Sequence, residues 1–207
     1  MKVELIAVTR YLRGNGTPEE LIEHAGRACY RSEPRGKPGD FIRKRVAEGH
    51  ESIIEHASAT FDISGISRAC THQLVRHRIA SYSQESQRYV DMSSPEYVIP
   101  PSIAADPEAL AGMERFMSSV AAQYKQLRER GIPKEDARFV LPNATATRIV
   151  VTMNFRSWRH FIKVRALDPH SQWEIRELAN RILDELYKVA PSVFQDLIDE
   201  RERQKQA

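Results

Sequence analysis

Polar and apolar positions change period several times along the chain, and each change predicts an element. Val3 to Val8 reads as a short strand. Thr17-Pro18-Glu19-Glu20 then supplies a cap, a proline at the first helical position and a glutamate placed to reach back to the cap. A helix opens there and ends near Tyr30, before the Gly/Pro-rich loop from Ser32 to Asp40. A second helix covers about Asp40 to Glu48 and stops at Gly49, a residue suited to helix C-termini. Ala57, Ala59, Phe61 and Ile63 alternate with polar or small residues, which predicts a strand over 57–64 with one buried face. From Ser67 the period turns helical, with Cys70, Leu74 and His77 in step, so Arg76 to Arg78 fall where a helix gives way to a loop.

Asp106-Pro107 starts the longest predicted helix. Its stripe of Leu110, Met113, Met117, Val120, Tyr124 and Leu127 repeats every three or four residues up to Gly131-Ile132-Pro133 and is expected in the core. Thr147 to Thr152 is rich in β-branched residues and predicts a strand. Asn154 can cap the following helix, which runs to about Leu167 before Asp168-Pro169. Ser171-Gln172-Trp173-Glu174 has the spacing of a capping box and opens a helix through Tyr187. With no internal repeat or low-complexity tract, these elements predict one α+β domain over residues 1–207.

Composition narrows the classes. At 207 residues, 41% hydrophobic and 29% charged, the chain suffices for one globular domain that buries about 70% of its unfolded surface. It has no run of 18 apolar residues, and Met1-Lys2-Val3-Glu4-Leu5 is not patterned as a signal peptide, so a soluble, cytoplasmic protein without a membrane partner is expected. Cys29 and Cys70 lie far apart with no CxxC spacing, which points to neither a disulfide framework nor a structural zinc site. A surplus of +3 from interspersed charges argues against an RNA-binding module, the competing class, in which the arginines and tyrosines of 76–89 would contact phosphates and stack on bases.

The local chemistry is concentrated. From Arg76 to Tyr89 the chain carries three arginines, His77 and a run of hydroxyls and amides against one acid, Glu85. Arginine offers a planar fork that matches phosphate oxygens two at a time, and Ser, Tyr and Gln add neutral hydrogen bonds, so this stretch is suited to an anion. A second anion site is available where Asn154 leaves backbone N–H groups free at a helix start, with Arg156 and His160 one turn apart on a shared face. Arg165 shares a stripe with Trp158 and Ile162, so it either snorkels or faces a site. The usual cofactor fingerprints are absent: Gly14-Asn15-Gly16 lacks the third glycine of a dinucleotide fold, and no GxxxxGK[ST] occurs. His50 and His56 match neither HExxH nor HxxEH, and no metal is expected.

Arg76-His77-Arg78, seven residues, then Ser86, with Ser83-Gln84-Glu85-Ser86-Gln87-Arg88 as the tail, resembles the signature of the flavin-dependent thymidylate synthases. Gly49-His50-Glu51-Ser52-Ile53-Ile54-Glu55-His56, Ala137-Arg138-Phe139-Val140-Leu141-Pro142 and Phe161-Ile162-Lys163-Val164-Arg165 with His170-Ser171-Gln172-Trp173-Glu174-Ile175-Arg176 are similar to further motifs of that family, in its order across 49–176. In one departure, five residues separate Arg165 from Ser171-Gln172 where the family has four before an Ala-Gln pair, which bears on His170 more than on Arg165.

The resemblance implies a single α+β domain with a small antiparallel sheet flanked by helices, assembling as a homotetramer with shared active sites. It implies conversion of dUMP to dTMP with methylenetetrahydrofolate as carbon donor and NADPH as reductant of bound FAD. Ser52, Arg76, His77, Arg78, Gln84, Asn154, Phe155, Arg156 and His160 would then hold the flavin. Gln73, Leu74, Val75, Arg76, Gln84, Glu85, Ser86, Gln87, Arg88, Arg138 and Arg165 would hold the nucleotide, and Arg165 would also be catalytic.

Overall fold

The computed structural model describes residues 1–34 and 36–206; Arg35, within the Ser32 to Asp40 loop, and Ala207 lie outside the described residues. In chain order the elements are β1 (Lys2–Val8), α1 (Pro18–Tyr30), α2 (Pro38–Ala47), a 3-10 turn (Glu51–His56), β2 (Ser58–Ser67), α3 (Arg68–Leu74) and β3 (Ser81–Gln84). They continue with α4 (Pro101–Ala104), α5 (Pro107–Glu129), α6 (Lys134–Ala137), a second 3-10 turn (Arg138–Val140), β4 (Ala146–Asn154), α7 (Phe155–Arg165), α8 (Trp173–Val189) and α9 (Pro191–Gln206). The strands form one antiparallel four-stranded sheet in the order β1-β2-β4-β3. This is the α+β architecture that the periodicities predict.

The expected helix starts follow their capping chemistry. The Thr17 hydroxyl accepts from the Glu20 N–H at 3.2 Å while the Glu20 carboxylate accepts from the Thr17 N–H at 3.1 Å, a complete capping box. The Asp106 carboxylate caps α5 by accepting from the Glu108 and Ala109 N–H groups at 3.0 and 3.2 Å. Three expectations need correction. Helix α2 begins at Pro38 and not Asp40, because a proline at the first helical position has no N–H to leave unpaired. Helix α8 is capped by Gln172 and not Ser171: the Gln172 side-chain oxygen accepts from Glu174 and Ile175, while the Ser171 hydroxyl turns to the Val164 carbonyl. Strand β3 and helices α4, α6 and α9 are not predicted by the periodicities. Only the middle of the α5 stripe is truly core, with Met117, Val120 and Tyr124 buried and Leu110, Met113 and Leu127 partly exposed. The elements packed on α5 are short and cannot cover its whole stripe.

The chain divides into two compact units. One comprises Met1–Lys2, Ile63–Gln73 and Ser83–Ile149, with a core of Met92, Tyr124 and Ala137 onto which Leu127, Val140 and Leu141 pack. The other comprises Val3–Asp62, Leu74–Tyr82 and Val150–Ala207. In this second unit α1 packs on α2, α2 on α9, and α7 on α8, α9 and the 3-10 turn at Glu51–His56. Helix α7 buries Phe155, Trp158, Phe161 and Ile162 completely, each contributing roughly 1.5 to 3 kcal/mol of apolar burial. The buried indole N–H of Trp158 donates to the Ala59 carbonyl at 3.1 Å, and its ring meets Phe61 edge-on at 5.2 Å. Cys29 is exposed and Cys70 buried. No helix among the described residues is long and apolar enough to cross a membrane.

The start of α7 hangs on the Asn154 side chain, whose oxygen accepts from the Ser157 N–H at 2.8 Å. Asn154→Ala should lower stability by about 1 kcal/mol and the melting temperature by roughly 2 to 4 °C. Thermal unfolding followed by circular dichroism checks this; an unchanged midpoint would show that the packed face alone fixes the helix start.

Candidate functional site

Helix α3 ends at Leu74, and the backbone turns at once: the His77 N–H donates to the Leu74 carbonyl at 3.1 Å. The Tyr82 hydroxyl lies 2.9 Å from the Leu74 carbonyl oxygen and 2.7 Å from that of His77, so its single proton is shared between two acceptors. Burial pushes the phenol up to about 12, which keeps it a hydroxyl donor at any ordinary pH. This clasp fixes the turn that carries Arg76, His77 and Arg78.

Arg165, at the last position of α7, meets that turn. Its Nε donates to His77 Nε2 at 3.1 Å. A guanidinium can only donate, so His77 Nε2 must offer a lone pair and the imidazole carries its proton on Nδ1. Burial first, then the charge of Arg165 and the neighbouring His160, push His77 down to about 4. The neutral ring also packs edge-on against Phe161, with centroids 5.0 Å apart, and against His160 at 5.9 Å.

These residues border a cavity of about 820 Å³ in the second unit. Arg76, His77, Arg78 and Ile79 come from the turn after α3, Asn154, Arg156, Ser157, His160, Val164 and Arg165 from the start and one face of α7, and Glu51 and Glu55 from the 3-10 turn. Arg156 donates to Glu55 at 2.5 Å and lies 3.9 Å from Glu51. Glu51 is shared further, lying 3.4 Å from the Arg159 Nε and 3.2 Å from the Lys163 ammonium. Arg159 is only 1% exposed, and its other guanidinium edge forms two bonds of 2.7 Å to Asp196. Burial opposes ionisation of Asp196, but Arg159 and the nearby Lys163 outweigh it and hold the carboxyl below its ordinary range.

Of the residues expected to bind a cofactor, six therefore border one cavity: Arg76, His77, Arg78, Asn154, Arg156 and His160. Ser52 is exposed on the 3-10 turn and does not line it. Phe155 is fully buried with its ring against Phe194 at 5.4 Å. Leu74 is buried and Val75 exposed.

The remaining expected nucleotide contacts belong to the first unit. There the Gln84 amide donates to Thr71 at 3.1 Å and to Thr147 at 3.4 Å, and Gln73 is partly buried nearby in sequence on α3. Glu85 bonds through its N–H to the Arg148 carbonyl at 2.9 Å, and Ser86 opens a tight turn whose carbonyl accepts from Tyr89 and Val90. Gln87 is buried. Arg88 reaches the Glu135 carboxylate at 3.1 Å, while Arg138 donates to the Glu135 carbonyl at 3.0 Å. One residue shared by two arginines gathers them on one side of α6.

Three participants went unread in the sequence. Arg68 is partly desolvated and then further disfavoured as a cation by Arg138, both of which lower its pKa. Its signal was a cation in the first turn of a helix, where the dipole opposes it. Glu51 sits in the Gly-His-Glu-Ser motif, beside the Ser52 that the resemblance points to. Arg159 looked like one more charge on an amphipathic helix, and nothing local distinguishes it from its exposed neighbours.

The depressed His77 gives a signed pH effect. Between about 6.5 and about 4 the unfolded chain takes up a proton that the folded chain refuses, so His77's contribution is present above 6.5 and is lost as pH falls through that window. His77→Gln should flatten this part of the profile. Urea midpoints of parent and variant at about pH 7.5 and pH 5 test it; parallel losses in both proteins would contradict a buried, neutral imidazole.

The comparisons with known proteins cover almost the whole chain. The family model described as Thymidylate synthase complementing protein matches residues 8–192. A flavin-dependent thymidylate synthase of Mycobacteroides abscessus is 43% identical over 225 residues, covering 95% of this chain and 89% of the relative. One of Mycolicibacterium gilvum is 46% identical over 196 residues, covering 85% and 78%, and one of Mycobacterium marinum is 42% identical over 224 residues, covering 95% and 89%. With a family match over residues 8–192 and these identities on top of the clustered arginines, the chain belongs to the flavin-dependent thymidylate synthase family.

Proposed function

We propose that this protein methylates dUMP to dTMP, with methylenetetrahydrofolate as carbon donor and NADPH as reductant of bound FAD. The observation that carries this reading is the convergence of Arg76, Arg78, Arg156 and Arg165 with the start of α7 on one cavity. The donor set suits FAD. Its pyrophosphate needs cationic forks, which Arg76 and Arg78 offer, since the Phe155 and Ser157 N–H groups at the α7 start are already taken by the Ala57 carbonyl and the Asn154 side chain; its ring system needs apolar walls such as Ile79 and Val164, and a volume near 820 Å³ lies within the usual range for ligand cavities. In our reading Arg76, His77, Arg78, Asn154, Arg156 and His160 hold this cofactor from the cavity wall, while Ser52, Gln84 and Phe155 are assigned to it on the family resemblance alone; the cofactor supplies the reducing equivalents when bound.

The substrate is assigned to Gln73, Leu74, Val75 and Arg76, to Gln84, Glu85, Ser86, Gln87 and Arg88, and to Arg138, with the arginines on the phosphate. Uracil must become nucleophilic at C5, and negative charge then develops at N3 and its neighbouring carbonyl. Arg165 is the group placed to hold that charge, because a fixed, full cation at developing charge is a large catalytic contribution. In this reading the chain is a single family domain over 1–207, and its sites are completed by several copies in a homotetramer. The protein acts on small molecules in the cytoplasm in this reading, with neither nucleic acid nor membrane as partner.

Arg165→Lys keeps the charge and loses the planar fork. It should retain FAD while turnover to dTMP falls on the order of 100-fold or more. Visible absorbance and single-turnover product formation measure the two separately; near-normal turnover would return Arg165 to a mere surface cation.

The buried Cys70 is not the nucleophile in this reading, since a buried thiol beside Leu74 behaves as a small hydrophobe. Cys29→Ser and Cys70→Ser, singly or together, should leave dTMP formation within about tenfold of the parent, allowing roughly 1 kcal/mol of packing loss. Loss of turnover in a folded Cys70→Ser protein that still binds FAD and dUMP would overturn the thiol-independent route.

A further inference from the structure

Three arginines on α7 are held by hydrogen-bond acceptors, and the acceptors differ in kind. Arg156 is paired with Glu55 and Glu51, and Arg159 with Asp196 and Glu51. Arg165 alone of the three is held by an uncharged acceptor, the imidazole of His77, at 3.1 Å through its Nε. No carboxylate pairs with Arg165 among the described residues. A carboxylate would orient a guanidinium but also cancel much of its field at the ligand. A neutral ring fixes the Nε and leaves the charge whole.

We infer that His77 is the positioning residue of Arg165, holding the guanidinium by its Nε so that both terminal nitrogens stay free for the substrate's developing negative charge. The inference rests on Arg165 being the catalytic group. Two further observations support it. His77 is itself fixed, by the Tyr82 clasp on its carbonyl at 2.7 Å and by the edge of Phe161 at 5.0 Å, so the acceptor does not wander. Its environment also keeps the ring neutral: Arg165 and His160 face it from α7, Arg76 and Arg78 flank it on its own turn, and the acids of the same cavity, Glu51 and Glu55, are paired with Arg156, Arg159 and Lys163 instead. The assignment of His77 to flavin contact and this role are compatible, because Nε2 is the atom used here and the rest of the ring borders the cavity.

The test is a double-mutant cycle on dTMP formation with FAD saturating, comparing the parent with His77→Phe, His77→Gln, Arg165→Lys and the His77→Phe/Arg165→Lys pair. His77→Phe removes the acceptor at similar volume and should lower kcat by on the order of 10-fold to 100-fold, the range for a displaced catalytic group, with a smaller change in KM for dUMP. His77→Gln restores a neutral acceptor and should recover kcat to within about 5-fold of the parent. In the Arg165→Lys background His77→Phe should cost less than about 3-fold, because a residue that acts through Arg165 has nothing left to position. Equal losses in both backgrounds, or a glutamine variant as poor as the phenylalanine one, would overturn the inference. Near-parental turnover of Arg165→Lys by itself would instead remove the assignment of Arg165, and the positioning role with it. Should His77→Phe not fold, His77→Glu asks the same question: it keeps a hydrogen bond but adds a charge, and should fall about 10-fold below His77→Gln. Equal rates for the glutamate and glutamine variants would show that the neutrality of the acceptor is irrelevant.

Discussion

The cavity depends on how one face of α7 is buried. Phe155, Trp158, Phe161 and Ile162 are wholly buried, and an aromatic chain runs from Phe61 through Trp158 and Phe161 to His77 with edge-on contacts of 5.2, 5.7 and 5.0 Å. The indole N–H bond to Ala59 pins the rotation of the helix, since burying that donor unpaired costs on the order of 1 to 3 kcal/mol. Turning α7 by one residue, about 100°, would move Arg156, His160 and Arg165 off the cavity and put a charge into the apolar contact. Apolar packing, which is directionless alone, here sets the direction of the charged face through a few oriented rings and one hydrogen bond.

Electrostatics then sorts the α7 cations by depth and partner. Arg159, the deepest, is matched on two sides, by Asp196 and Glu51, as a buried guanidinium must be. Arg156, half exposed, lines the cavity and is held by Glu55 and Glu51. Arg165 keeps its charge unmatched by any acid in the described structure and is steadied by a neutral ring. Glu51 links the first two and Lys163, so the acid of the Gly-His-Glu-Ser motif organises the helix that carries the site.

What the sequence made legible has a physical pattern. Caps at Thr17, Asp106 and Asn154 could be read because each is decided within four residues, β2 because one buried face imposes a period of two, and β4 because β-branched residues crowd Thr147 to Thr152. Strand β3 could not, because Ser81 to Gln84 is short and polar and is ordered by its pairing with a distant strand. The Gln172 cap was displaced to Ser171 because two adjacent polar residues can each cap, and the choice turns on the Val164 carbonyl. At the site, Arg76 to Arg78 and Arg156 announced themselves by composition. That Arg165 would find His77, 88 positions away, and that Arg159 would be buried against Asp196, are matters of tertiary contact.

The central claim is that the arginine-lined cavity holds a flavin on which the methylation of dUMP depends. The most direct measurement is dTMP formation from dUMP, methylenetetrahydrofolate and NADPH by one preparation assayed as purified, after its flavin is stripped, and after FAD is returned. A visible flavin band and turnover should disappear together and return together. Unchanged dTMP formation by the stripped protein, or a protein that takes up no FAD at all, would contradict it.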